Sequence, residues 1–277
     1  MVSMAMKNGA RAATLLAAAL VPAACAPDVP AAKSASRPAT RCILLPLEHG
    51  VDTGRGWGSV SHLLLLNPAT EATRVRVRLY FTDRDPAAFE LLAAARTTTE
   101  SASSSWPVGA GGRFALVAES DRPVVCQATV GWNSTANDYR PEATARSPRG
   151  VRETARSTLP APIDRRLFLA DGIDLGGAGS WLRETETLAV LVREAQPVRA
   201  TLRLHAAAAS RDRALELPGR RLTLLPMAGA LPRDLHYGAE LVAPRPLAAA
   251  WLREVYWQQG DEPMASWSVP LTPLASR

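Results

Sequence analysis

The stretch Arg74-Val75-Arg76-Val77-Arg78-Leu79-Tyr80-Phe81-Thr82-Asp83-Arg84-Asp85-Pro86 decides the fold. Val75, Val77, Leu79 and Phe81 fall on every second position with arginines between them, the period of a β-strand that buries one face and wets the other. A charged turn and a proline then end it. The pattern recurs 125 positions later, where Arg199-Ala200-Thr201-Leu202-Arg203-Leu204-His205 lies on 74–80 with Ala200, Leu202 and Leu204 inward. The overlap extends outward on both sides. Arg166-Leu167-Phe168-Leu169-Ala170 answers 41–45, Leu188-Ala189-Val190-Leu191 answers the Leu63-Leu64-Leu65-Leu66 run, and residues 236–247 answer 113–124 with the register slipped by two. Short strands at even spacing, separated by turn signals such as Asn67-Pro68 and Pro218-Gly219, make the chain all-β. The expected architecture is two tandem antiparallel β-sandwich, jelly-roll-like domains at 41–133 and 166–271.

Several other segments are read through the repeat. Residues 89–95 are helix or strand by propensity, and the alternating Ala214-Leu215-Glu216-Leu217 in the second copy selects strand. Residues 97–106 read as an exposed Thr- and Ser-rich strand. Four consecutive leucines at 63–66 imply a strand covered on both faces or one at the sandwich centre. Gly109-Ala110-Gly111-Gly112 is a turn with no helix after it to cradle phosphate. Residues 134–165, with Pro141, Pro148, Pro160 and Pro162, are a linker, or a last strand plus a linker.

The composition narrows the function classes. Of 277 residues, 47% are hydrophobic, and the formal net charge is +6 with a pI near 9.8. Lys7 and Lys33 are the lysines; the remaining positive charge is arginine, placed at strand-alternate positions among carboxylates. No run of five or six like charges occurs, so the surplus reads as a solvated face and not as a nucleic-acid groove.

Residues 1–25 read as an export signal: Lys7 and Arg11, an apolar segment at 12–21, then Ala23-Ala24-Cys25. The apolar segment is too short to span a bilayer, which takes about 20 residues. Cys25 matches the lipobox position at which a cysteine is acylated, although Pro22 stands where leucine is usual; ordinary cleavage after Ala26 is the alternative. Residues 26–40 form a tether that would hold the protein off a membrane surface. Cys42 and Cys126 both lie in the first repeat, and their counterparts in the second are Leu167 and Ala249. Joint presence and joint absence fit a disulfide in an oxidising envelope compartment, and equally fit two buried thiols.

Each repeat resembles the sensory rhodopsin transducer family of small soluble β-sandwich proteins. The resemblance rests on 80–86, on 118–127 and on the strand from Ser61-His62 to Asn67; in the second copy it rests on 170–172, 217–221 and 233–238. It implies an all-β fold, oligomerisation and a binding role without chemistry. The family's best-known members are cytosolic partners of a membrane photoreceptor. This chain departs from them in its export signal, its tandem copy and its lack of a clear last strand in repeat 1.

No catalytic constellation stands out. His49, His62, His205 and His236 have no metal-ligand spacing, and nothing calls for a metal or another cofactor. Glu184 and Glu186 share one face of a strand but come from one element, unlike the acids of a glycosidase. Seven tryptophans lie near loops or strand ends, where they plug the sandwich cores or stack on sugar rings. The candidate ligand cluster is Trp57, His62, Trp181 and Arg183. The expected function is a non-enzymatic binding or scaffolding module of the cell envelope. The alternatives are a carbohydrate module and an adaptor for a membrane receptor.

Overall fold

The computed structural model describes residues 38–52, 57–109, 111–133, 153–173, 182–207, 209–230, 236–257 and 263–273. Repeat 1 contains β1 (Thr40–Asp52), β2 (Trp57–Asn67), β3 (Thr73–Phe81), β4 (Ala87–Ala93), β5 (Thr97–Ala102), β6 (Gly112–Ser120), β7 (Val125–Asn133) and β8 (Glu153–Thr158). Repeat 2 contains β9 (Asp164–Ile173), β10 (Leu182–Val192), β11 (Val198–Ala206), β12 (Ala209–Leu217), β13 (Arg221–Pro226), β14 (His236–Trp257) and β15 (Pro263–Pro270).

Each repeat is a sandwich of two antiparallel sheets. In repeat 1, sheet A runs β4-β3-β6-β1 and sheet B runs β5-β2-β7-β8, with β1 also pairing β2 at their shared hairpin end. In repeat 2, sheet C runs β12-β11-β14-β9 and sheet D runs β13-β10-β14-β15. The strand plan of the two repeats is therefore the same. One difference is that β14 runs unbroken through both sheets of repeat 2, with its register to β9 shifting between Val242 and Leu247 around Pro244 and Pro246. In repeat 1 the same path breaks at 121–124 into β6 and β7. The last strand of repeat 1 is β8, within the 134–165 stretch; it pairs β7 from Ala128↔Thr158 to Asn133↔Glu153.

The alternation of β3 places Val75, Val77, Leu79 and Phe81 in the core of repeat 1, with Leu44, Leu63, Leu65, Phe114 and Val130. Leu202, Leu204, Leu188, Leu241 and Trp251 lie in the core of repeat 2. The leucine run is covered on one face: Leu63 and Leu65 are fully buried, whereas Leu66 is 43% exposed. β2 is nevertheless central, between β5 and β7. A disulfide joins Cys42 on β1 to Cys126 on β7, tying sheet A to sheet B across the core with a Cα–Cα distance of 6.3 Å. Leu167 and Ala249 fill the same two positions in repeat 2 and are buried there.

A third apolar cluster joins the repeats into one compact unit spanning Arg37–Arg277. The outer face of sheet A (Ile43, Leu45, Tyr80, Ala115, Val117) packs on the outer face of sheet D (Ala189, Leu191, Leu222, Ala248, Ala250). Sheet A corresponds to sheet C and sheet B to sheet D, so the contact joins non-equivalent faces. The unused faces differ in chemistry at the equivalent positions. Register equivalence puts Phe168, His205 and Glu240 on sheet C where sheet A has Ile43, Tyr80 and Val117. It puts Thr98, Glu100 and Gln127 on sheet B where sheet D has Leu222, Leu224 and Ala250. Glu240 there is held by Arg166 and Arg203.

Beside the apolar contact lies a buried polar quartet. Arg113 Nη2 donates to both oxygens of Glu254 at 2.7 and 2.8 Å, and its Nε donates to Glu48 Oε2 at 3.2 Å. Trp132 Nε1 donates to Glu48 Oε1 at 3.4 Å. Arg156, on β8, is fully buried; it donates to the Pro46 carbonyl at 2.9 Å and to Ser266 Oγ at 3.0 Å. Its Nη1 lies 3.8 Å from Glu254 Oε1, and its guanidinium sits 5.1 Å from the centre of the Trp132 ring. Two arginines and two glutamates from both repeats thus cancel in charge, with Arg156 and Glu254 buried and Arg113 in partial contact with solvent. Burial lowers the Arg156 pKa to about 10 against the pull of Glu254 and Glu48. Burial together with Glu254 pushes Tyr256 up to about 12.

Glu254→Ala leaves the buried Arg156 guanidinium without its nearest carboxylate and Arg113 with Glu48 alone, and should lower unfolding stability by about 3–5 kcal/mol. Glu216→Ala, which breaks the exposed Arg199–Glu216 pair, should leave the denaturant midpoint where it was. Reducing the Cys42–Cys126 bond, or replacing both residues with serine, should lower stability by about 2–5 kcal/mol in urea titration of the full chain.

Candidate functional site

The cleft best suited to a ligand lies between the two sheets of repeat 2, at the side where β9 and β15 form their edges. It encloses about 400 Å³ and is lined by Leu169 and Ala170 on β9, Glu186 on β10, Trp251 and Arg253 on β14, and Trp267 and Val269 on β15. Strand alternation sets this wall. Cross-strand pairing puts Glu186, Arg253 and Trp267 in one row and Leu188, Trp251 and Val269 in the next, all facing the sandwich interior.

Repeat 1 shows what the same rows do when closed. Register equivalence matches Ser61, Val130 and Arg156 to the first row, and Leu63, Ala128 and Thr158 to the second. All six are buried, at 1% exposure or less. In repeat 2, Trp267 and Val269 at the ends of these rows are each 49% exposed. The closure comes from the buried side chain of Arg156, clamped to the Pro46 carbonyl and Ser266, and from Ala161, whose N–H donates to the Ile43 carbonyl at 2.7 Å.

The polar groups of the open cleft are held in place. Glu186 is 8% exposed and accepts a hydrogen bond from the Tyr237 hydroxyl. The Tyr237 ring packs edge-on against Trp251, with centroids 5.7 Å apart. Arg253 forms an ion pair with Glu184. The Trp251 indole N–H is buried with no hydrogen-bond partner among the described residues. A buried donor without an acceptor is disfavoured by about 1–3 kcal/mol, so an acceptor brought by a ligand would be favoured there. The cleft thus offers a half-exposed indole face, a lone donor and one placed carboxylate, that of Glu186.

Of the four residues singled out in the sequence, His62 is the one whose side chain is among the described residues. His62 lies on the outer face of sheet B, 2.7 Å from Glu100 Oε1. Arg183 occupies a register position opposite Tyr256, on a different sheet. Trp181 and the side chains of Trp57 and Arg183 lie outside the described residues, as does Cys25. Among the described tryptophans, Trp106, Trp132 and Trp251 are buried, and Trp267 is half exposed. Sequence reasoning passed over Trp267 and Arg253; the signal available was the Val130→Arg253 and Arg156→Trp267 contrast at matched positions. Glu184 and Glu186, which share one face of β10, face the interior of repeat 2. Among the described residues, no group of three or more His, Cys, Asp and Glu side chains could hold a metal ion. No described helix is long and apolar enough to cross a membrane.

Comparison with known proteins bears on repeat 1. No curated protein matches this chain in sequence. Among solved structures, Thermotoga maritima 1070 is 13% identical, covers 39% of this chain and 92% of its own, and superposes with a TM-score of 0.34. Red sea bream transglutaminase is 8% identical over 83% of this chain and 31% of its own, with a TM-score of 0.15. Neither score carries a fold assignment. Residues 46–139, from within β1 to just past β7, match the Anabaena sensory rhodopsin transducer family, the one that the motifs at 80–86 and 118–127 resemble.

Proposed function

We propose that this chain is a non-enzymatic binding module of the cell envelope, exported and held at a membrane surface through a lipid on Cys25. Its ligand occupies the intersheet cleft of repeat 2. The observation that carries this reading is the contrast between the repeats: the rows closed by Arg156 and Thr158 in one are open at Trp267 and Val269 in the other.

A ligand with a flat apolar face and a polar rim fits the cleft, and a sugar ring has that form. Its C–H face would stack on Trp267, one hydroxyl would accept from the Trp251 N–H, and others would meet Glu186 and Arg253. The adaptor reading, in which the protein docks a membrane receptor, is supported by the family match over 46–139. It places the partner on repeat 1, so it does not compete for the cleft.

The test is a screen of mono-, oligo- and polysaccharides against the full chain, read by tryptophan fluorescence. Saturable quenching is expected with at least one glycan, weakened roughly tenfold or more by Trp267→Ala. Absence of any response, or a response that Trp267→Ala leaves intact, would overturn the cleft reading. The anchor is checked separately by metabolic labelling with a fatty acid: the full chain should take up label, and Cys25→Ser should not.

A further inference from the structure

A second cleft opens at the margin of the contact between the repeats, away from the site in repeat 2. It encloses about 500 Å³, and both repeats wall it: Arg76 and Arg78 on β3, Glu90 on β4 and Glu119 on β6, then Arg193 and Glu194 just after β10. Three guanidinium groups face three carboxylates, yet they do not cancel pairwise. Arg76 lies opposite Glu90 in the ladder but turns to Asp121, 3.0 Å away. Glu119 is taken by Arg41 at 2.6 Å, and Arg193 approaches it only to 3.8 Å, beyond hydrogen-bond reach. Arg78 and Glu90 are exposed on neighbouring strands. Glu194 Oε2 is buried without a hydrogen-bond partner among the described residues.

The cleft therefore holds charges of both signs, one of them a buried carboxylate oxygen. A buried acceptor is disfavoured relative to a state in which a ligand supplies its donor. The backbone that carries Glu194 is fixed in place. The Arg220 N–H donates to its carbonyl at 2.8 Å, and Gly219 packs so closely that a Cβ there would lie 2.0 Å from the Ala195 carbonyl oxygen. Tyr80 and Phe89 supply apolar wall between the charges.

We propose that this inter-repeat cleft binds a zwitterionic small molecule of amino-acid type. Its carboxylate meets Arg78 and Arg193, its ammonium meets Glu194 and Glu90, and its side chain lies along Tyr80 and Phe89. An anion alone would leave Glu194 unmet, and an amine alone would leave Arg78 unmet. The site exists because the two repeats are docked: Arg78 and Glu90 come from one, Arg193 and Glu194 from the other.

Isothermal titration calorimetry on the full chain tests this with L-leucine and L-phenylalanine, using acetate and butylamine as single-charge controls. Saturable binding is expected for the amino acids, with the controls at least roughly tenfold weaker. Arg78→Ala and Glu194→Gln should each weaken amino-acid binding by roughly tenfold or more, with circular dichroism unchanged. Trp267→Ala should bind like the parent, which separates this site from the cleft in repeat 2. The proposal is overturned if neither amino acid binds, if acetate or butylamine binds as tightly, if folded Arg78→Ala binds like the parent, or if Trp267→Ala abolishes binding.

Discussion

A guanidinium buried between two β-sandwiches, that of Arg156, sets the terms for the rest of the structure. Its charge is acceptable in the interior only because Glu254 of the other repeat lies beside it, with Pro46 and Ser266 accepting its N–H groups. Glu254 is in turn held by both of its oxygens on Arg113, and Arg113 is shared with Glu48. Each of these residues comes from a different strand, so the quartet fixes β1, β6, β8 and β14 against one another. Apolar packing alone would tolerate sliding of one sheet face on another, whereas these directional bonds accept a single register.

The same arrangement explains why two copies of one strand plan behave differently. Repeat 1 spends the outer face of sheet A on its neighbour, so Tyr80 is 3% exposed, whereas its counterpart His205 stands on a free face. Repeat 2 spends the outer face of sheet D, and the matching face of sheet B carries Glu100 and Gln127. Polar residues on both free faces end the stacking at two units, as terminal repeats do in longer arrays. Closure by Arg156 also seals the intersheet rows of repeat 1. The corresponding rows of repeat 2 have Trp267 in that place and remain open, so docking and ligand access are two results of the same asymmetry.

Much of this was legible in the chain. Alternation at 74–81 and its return 125 positions later gave the strands, their faces and the duplication, because period-2 burial is a local property. The family motifs at 80–86 and 118–127 are turns and strand ends, also local. The inter-repeat contact was less visible, since its partners Arg113 and Glu254, or Leu45 and Ser268, are far apart in sequence and lie in unremarkable patterns. β8 was hidden for a related reason: Glu153–Thr158 has little hydrophobic alternation, and its arginine faces inward only because Glu254 meets it. Strand register, not nearness to a turn, decides that Trp251 and Trp267 share a cleft. Comparing the repeats at matched positions would have exposed Tyr80 against His205 and Arg156 against Trp267.

The central claim is that the two sandwiches form one cooperative body and not two beads on a string. Differential scanning calorimetry of the full chain with its disulfide intact tests it most directly. The account predicts a single transition whose calorimetric and van't Hoff enthalpies agree. Two resolved transitions, or a van't Hoff enthalpy near half the calorimetric one, would mean that the repeats unfold independently and would contradict it.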